Sequence, residues 1–122
     1  MAGQAARTFG IRAEWVALVL LTLTGYRVLA RNFTAPGGEI DLIAQRGQTI
    51  AFIEVKARPQ MDQALIAITE QKRRRIARAV QVWLRQNRWA AAYVLRGDAV
   101  FIAPRRWPRH VAAAFELDLM GY

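Results

Sequence analysis

The chain has 122 residues, 54% of them hydrophobic, and 18 Lys plus Arg against 9 Asp plus Glu give a net charge of +9. This suits one independently folding domain, 1–122, and excludes a disordered chain. With no cysteine and one histidine, a disulfide framework and a zinc cluster are excluded, and a reducing cytoplasm is the expected compartment. So basic a domain favours a polyanionic partner, with nucleic acid ahead of an anionic membrane.

Residues 6–24 read as a helix that ends at Gly25. Its apolar run, Trp15 to Leu23, is nine residues long, against about 20 for a membrane span. A buried helix is expected, and its all-round apolarity leaves part of it free to pack on another subunit. Residues 26–33 read as a first strand and 35–38 as a turn. Two more strands follow, separated by Arg46-Gly47-Gln48, and Pro59 stops the second of them. A helix is predicted over 62–87, most clearly from Thr69, and a fourth strand over 95–103. Pro104 and Pro108 bracket a basic loop, Arg105-Arg106-Trp107-Pro108-Arg109-His110. Its alternation of cations with an aromatic is how single-strand binders stack bases, although a plain surface loop fits equally. His110, beside Pro and Arg, reads as structural, and 111–119 is ambiguous. The predicted class is α/β, in the order αβββαβ, with a central mixed sheet flanked by helices.

The two strands around Gly47 carry the chemistry. Side chains alternate along a strand, so Glu39 and Asp41 share one face, and Glu54 and Lys56 share one face. If Gly47-Gln48 is a two-residue turn, Arg46 pairs with Thr49 and Asp41 lies opposite Glu54. If the turn is Arg46-Gly47, Glu54 faces Glu39 and Asp41 is diagonal to it. Both registers keep the acids on one face, whereas a three-residue turn would separate them. Ile43, Ile50 and Phe52 share that face, so it is not simply solvated. Two carboxylates about 5 Å apart repel by roughly 3 kcal/mol at an effective dielectric of about 20, which a proton, a cationic side chain or a metal can offset. Mg²⁺ suits a few carboxylate oxygens completed by water and phosphate. Lys56 could then stabilise phosphate charge or help deprotonate an attacking water. On the 62–87 helix, a projection at 100° per residue sets Lys72 on the apolar face with Ile76, Ala79, Val80 and Trp83. Arg74, Arg78 and Arg85 fall on the opposite side, as a basic stripe that also fits an ordinary solvated face.

An Asp on one strand followed by E-x-K on the next resembles the PD-(D/E)xK nuclease superfamily. Longer strings are more specific: Ala13-Glu14, Gly25 to Asn32, Gly38 to Ala44, Phe52 to Arg58, Lys72, Arg96 to Val100, and Ala114-Phe115. Together they resemble the YraN family of predicted endonucleases over nearly the whole chain. Two departures stand out: Ile40 replaces the superfamily's Pro before the Asp, and Gly97 stands where the family usually has an aromatic residue. The resemblance implies a restriction-endonuclease-like fold and a metal-dependent endonuclease acting on DNA, branched or structured DNA included. By it, Asp41 and Glu54 hold Mg²⁺ or Mn²⁺, with Glu14 and the Val55 carbonyl assisting, and Lys56 is the catalytic lysine. Glu39 would support the ligands and Lys72 would grip a phosphate. Arg31 and Arg58 would line the rim of the cleft, with Arg74 and Arg78 as further nucleic-acid contacts. The likeness to resolvases leaves a homodimer open, and no membrane partner is expected. The competing readings are a binding module that kept the fold without the chemistry and, behind it, a membrane-surface protein.

Overall fold

The computed structural model describes residues 2–59 and 68–119, with side chains of the first helix from Arg12 onward. The elements are α1 (Ala2–Leu23), β1 (Arg27–Ala35), β2 (Gly38–Arg46), β3 (Thr49–Ala57), α2 (Glu70–Gln86), a 3₁₀ turn (Arg88–Ala92), β4 (Val94–Ile102) and β5 (Arg109–Phe115). The strands form one sheet in the order β1-β2-β3-β4-β5. β3 and β4 are parallel and the other neighbours antiparallel, so the sheet is mixed, as expected.

Alternation along the strands splits the apolar residues between two layers. Leu42, Ala44, Ala51 and Ile53 pack with Ala13, Ala17 and Leu21 of α1. Ile43, Ile50 and Phe52 pack with Ile76, Ala79, Val80 and Trp83 of α2. Phe52 is fully buried and meets Trp83 edge-to-face, with ring centroids 5.6 Å apart. Burying a side chain of that size is worth about 1.5–3 kcal/mol. The spacing that put Lys72 on the apolar side of α2 is therefore realised against the sheet.

The main differences from the sequence reading are two helix starts and the C-terminal stretch. α1 begins at Ala2 rather than residue 6, and its end is closed by Tyr26 N–H to Leu21 O (2.9 Å) and Gly25 N–H to Thr22 O (3.2 Å). This is the paired bonding of a Schellman motif. α2 begins at Glu70, because the Thr69 hydroxyl accepts from Lys72 N–H at 3.2 Å and caps the helix there. The part of the predicted helix over 62–67 lies outside the described residues. The ambiguous C-terminal stretch supplies a fifth strand. Its Ala-rich sequence is a weak strand signal, and its register against β4 shifts between Gly97 and Ala99, near Ala113 at φ +53°.

Gly97 has a packing reason. A Cβ there would lie 2.6 Å from the Phe115 ring, so the aromatic that covers this position comes from β5.

Next to it, Asp98 is 0% exposed. It pairs with Ile53, on the α1 side of the sheet. Its oxygens accept from Arg96 Nε and Nη2 (both 2.8 Å) and from Ala113 N–H (3.0 Å), and His110 Nε2 lies 2.8 Å away. Arg96 also donates to the Tyr26 hydroxyl at 2.7 Å. Burial opposes the charged form of Asp98, yet these partners hold its carboxyl below the usual range. His110 therefore sits in a packed polar cluster, in keeping with the structural role read for it. Among the described residues no helix is long and apolar enough to cross a membrane.

Candidate active site

The β2–β3 hairpin pairs Arg46 with Thr49 and Leu42 with Ile53, which is the register of a Gly47-Gln48 turn. Asp41 and Glu54 are the next positions on the two strands. There the ladder gives way to a side chain, as Asp41 Oδ2 accepts the Val55 N–H at 2.8 Å. The strands part at that point, with the two carboxyl groups beside each other on the α2 side.

Close approach of α2 brings in the cation. A Cβ on Gly38 would overlap the Arg75 carbonyl oxygen and come within 2.9 Å of Ala79 N. Only glycine lets the start of β2 sit this near the helix backbone. Lys72, one turn before Ile76, then reaches over the strand ends. Its Nζ is 3.1 Å from Glu39 Oε1 and 3.6 Å from Glu54 Oε1, and Arg75 Nη2 is 3.9 Å from Glu39 Oε1. Lys56 follows Glu54 by two residues on β3 and is half-buried.

Burial and like charge dominate the electrostatics of the acid pair. Burial, then the neighbouring Asp41 charge, pushes the Glu54 carboxyl up to about 8. Asp41 is also raised, chiefly by burial, against the pull of the Val55 N–H. Lys56 is lowered by burial and by Arg58. Lys72 is raised, because Glu54 and Glu39 outweigh its own desolvation. Glu54 Oε2 is buried without a hydrogen-bond partner. An unpartnered carboxylate oxygen beside a second carboxylate is a donor set that suits a hard divalent cation, and the residues present fit one.

The remaining candidates lie around this centre. Glu14 is held away from the pair: Asn32 Nδ2 donates to Glu14 Oε1 at 2.7 Å, and Arg31 Nη2 is 3.6 Å from it. Among the described residues no three Asp, Glu, His or Cys side chains gather as a metal-binding group. Asn32 lies between Arg31, paired with Leu42, and Phe33, paired with Ile40, which sets it across from Asp41. It has φ +49°, a left-handed conformation that Asn tolerates better than most residues. Sequence reasoning passed over Asn32, since an Asn inside a strand pattern carries no signal of its side-chain partner. The Arg31 guanidinium lies 4.8 Å over the Trp15 ring. Arg58 donates to the Ala57 carbonyl at 2.7 Å just past β3. Arg74 is exposed and paired with Glu70 at 2.7 Å, and Arg78 borders Gly37 in the β1–β2 turn.

Comparison with known proteins gives the following. The family described as uncharacterised protein family UPF0102 matches residues 13–102. The UPF0102 protein of Methylocella silvestris is 61% identical over 115 residues, covering 94% of this chain and 93% of its own. That of Methylorubrum extorquens is 58% identical over 109 residues, covering 89% and 85%. Among solved structures the chain is similar to Hjc, a Holliday junction resolvase of Archaeoglobus fulgidus. The TM-score is 0.55 at 20% identity, over 84% of this chain and 76% of that one. The fold is accordingly the restriction-endonuclease-like α/β arrangement that the motifs implied.

Proposed function

The chain belongs to the uncharacterised protein family UPF0102, the YraN family its motifs resemble, and from that premise we propose that it is a single-domain, divalent-metal-dependent endonuclease acting on DNA. The observation that carries this reading is the Asp41–Glu54 pair, with the orphaned Glu54 oxygen and two lysines around it. Branched DNA is the substrate class favoured, because the structural neighbour Hjc is a Holliday junction resolvase. A cytoplasmic setting suits a cysteine-free nuclease.

In this reading Asp41 and Glu54 hold Mg²⁺ or Mn²⁺, with the Val55 carbonyl beside them. Glu14, on α1, would be the third acid, in exchange for its bond from Asn32. When bound, the ion supplies Lewis-acid stabilisation of phosphoryl charge and a more acidic attacking water. Lys56, its ammonium disfavoured by burial, would accept a proton at Nζ from the attacking water. Lys72 would hold the phosphate, with Glu39 keeping its Nζ over the site. Arg31, Arg58, Arg74 and Arg78 contribute non-specific attraction to the backbone.

Titration calorimetry with Mn²⁺ tests the ligands: one site is expected in the wild-type chain and none in Asp41→Asn. On linear, nicked and branched DNAs, Lys56→Ala is expected to slow Mg²⁺-dependent cleavage by about 10²–10⁴-fold. Cleavage that persists in Lys56→Ala, or equally in chelator, overturns the assignment. One observation favours a second reading, a DNA-binding module without catalysis: Glu14 is engaged with Asn32 and Arg31 rather than with the acid pair. That reading expects salt-sensitive DNA binding with no calorimetric metal site.

A further inference from the structure

We propose that the outer groove of α1, between Trp15 and Trp107, binds the unpaired nucleotides of a DNA strand by stacking; this rests on the nuclease reading and names the substrate feature it would recognise.

The groove is lined by Trp15, Val16, Val19, Leu23, Trp107 and Pro108, with almost no polar surface. Trp107 is 92% exposed and Trp15 55% exposed. A tryptophan offers about 150–250 Å² of contact area, so leaving two in water on one groove is a feature that calls for an occupant. The loop that presents Trp107 is a defined turn: Arg105 adopts φ +62°, rare for a residue with a Cβ.

Charge selects the occupant. Arg105, Arg106 and Arg109 are exposed around Trp107, and the Arg31 guanidinium already stacks over Trp15 at 4.8 Å. A second copy seated here would bring two such cationic rims together, on chains of net charge +9 each. A DNA strand instead offers phosphates to the arginines and base faces to the indoles, the combination used by single-strand binders. Trp15 adjoins Glu14, which accepts from Asn32 on the edge strand β1, so the groove is tied to that edge on the α1 side of the sheet. Duplex DNA keeps its bases stacked on each other and cannot fill the groove, so the site reads single-stranded character.

The test is equilibrium anisotropy in chelator, with the full chain, a labelled 20-nucleotide single strand and the blunt duplex of the same sequence. Trp107→Ala is expected to weaken single-strand binding roughly five- to a hundred-fold, the range of one lost base–aromatic stack, and duplex binding less than two-fold. Trp107→Phe should keep most of the affinity, and an exposed side chain can be exchanged without unfolding the domain. Equal losses on both DNAs, or no loss on either, overturn the proposal. So does a Trp107-dependent dimer in sedimentation, or Trp107-dependent flotation with anionic vesicles, when strand binding is unchanged. Chelator separates this result from the catalytic reading: a protein that cleaves nothing can still lose strand binding with Trp107, and an active nuclease can still refute the groove.

Discussion

Asp98 on β4 and Glu54 on β3 are buried acids on adjacent parallel strands, facing opposite sides of the sheet. They differ in how completely their oxygens are satisfied. Asp98 meets Arg96, His110 and a backbone N–H and is held charged. Glu54 has one oxygen near Lys72 and one with no partner, and it sits beside another acid. The first arrangement ties β4 and β5 to the residues that follow α1. The second stores an unmet electrostatic demand in the folded state. A buried acid that is fully paired serves architecture, whereas one left short of partners marks where a ligand supplies the rest.

The largest effect expected from this contrast is on stability. Asp98→Ala leaves Arg96 and His110 facing an empty site in the packed sheet, and unfolding in urea should show a loss of about 3–5 kcal/mol. Glu54→Gln should show no comparable loss, and the contrast breaks if the two variants are equally destabilised.

A pH series sharpens the comparison next. The folded carboxyl of Glu54 is raised from 4.5 to about 8, so its contribution is fully present below 4.5 and is lost as pH rises through 8. Within that window the metal-free protein should lose stability by up to about 1.4 kcal/mol per pH unit. Glu54→Gln, or saturating Mn²⁺ on the wild type, should flatten the slope. Asp98 has the opposite sign: its folded carboxyl is lowered, so its contribution is present above 3.8 and lost as pH falls below that value. A metal-free urea midpoint that holds constant from pH 5 to 8 would contradict the picture of Glu54.

The smallest effect belongs to a pair with neither property. Arg74 and Glu70 form an exposed i,i+4 contact, and Arg74→Ala should change stability by no more than about 0.5 kcal/mol. If Arg74 touches DNA, the same variant should lower the salt dependence of binding by about one phosphate contact.

Much of the site was legible in the chain order. Period-two alternation across either two-residue turn sets the acids on one face, with Gly47-Gln48 the turn the structure adopts, and helical spacing sets Lys72 on the packed face of α2. The fifth strand was not legible, because Ala112-Ala113-Ala114 lacks strand preference and gains its pairing from β4. The aromatic over Gly97 was equally hidden, since Phe115 reaches it across the sheet.

The sequence by itself determined the alternating strands and, for either two-residue turn, the face on which the hairpin's acids lie; the structure selected Gly47-Gln48 over Arg46-Gly47. The strands and the face follow from turn chemistry and from a repeat of two or 3.6 residues, which act over a few neighbours. Tertiary structure alone decided that Lys72 bridges Glu39 and Glu54, that Asn32 holds Glu14, that Arg96 reaches from Asp98 to Tyr26, and that Trp15 and Trp107 flank one groove. Apart from Arg96 with Asp98, these residues lie 18 to 92 positions apart. No local pattern encodes these arrangements, because they form only when helices close on the finished sheet.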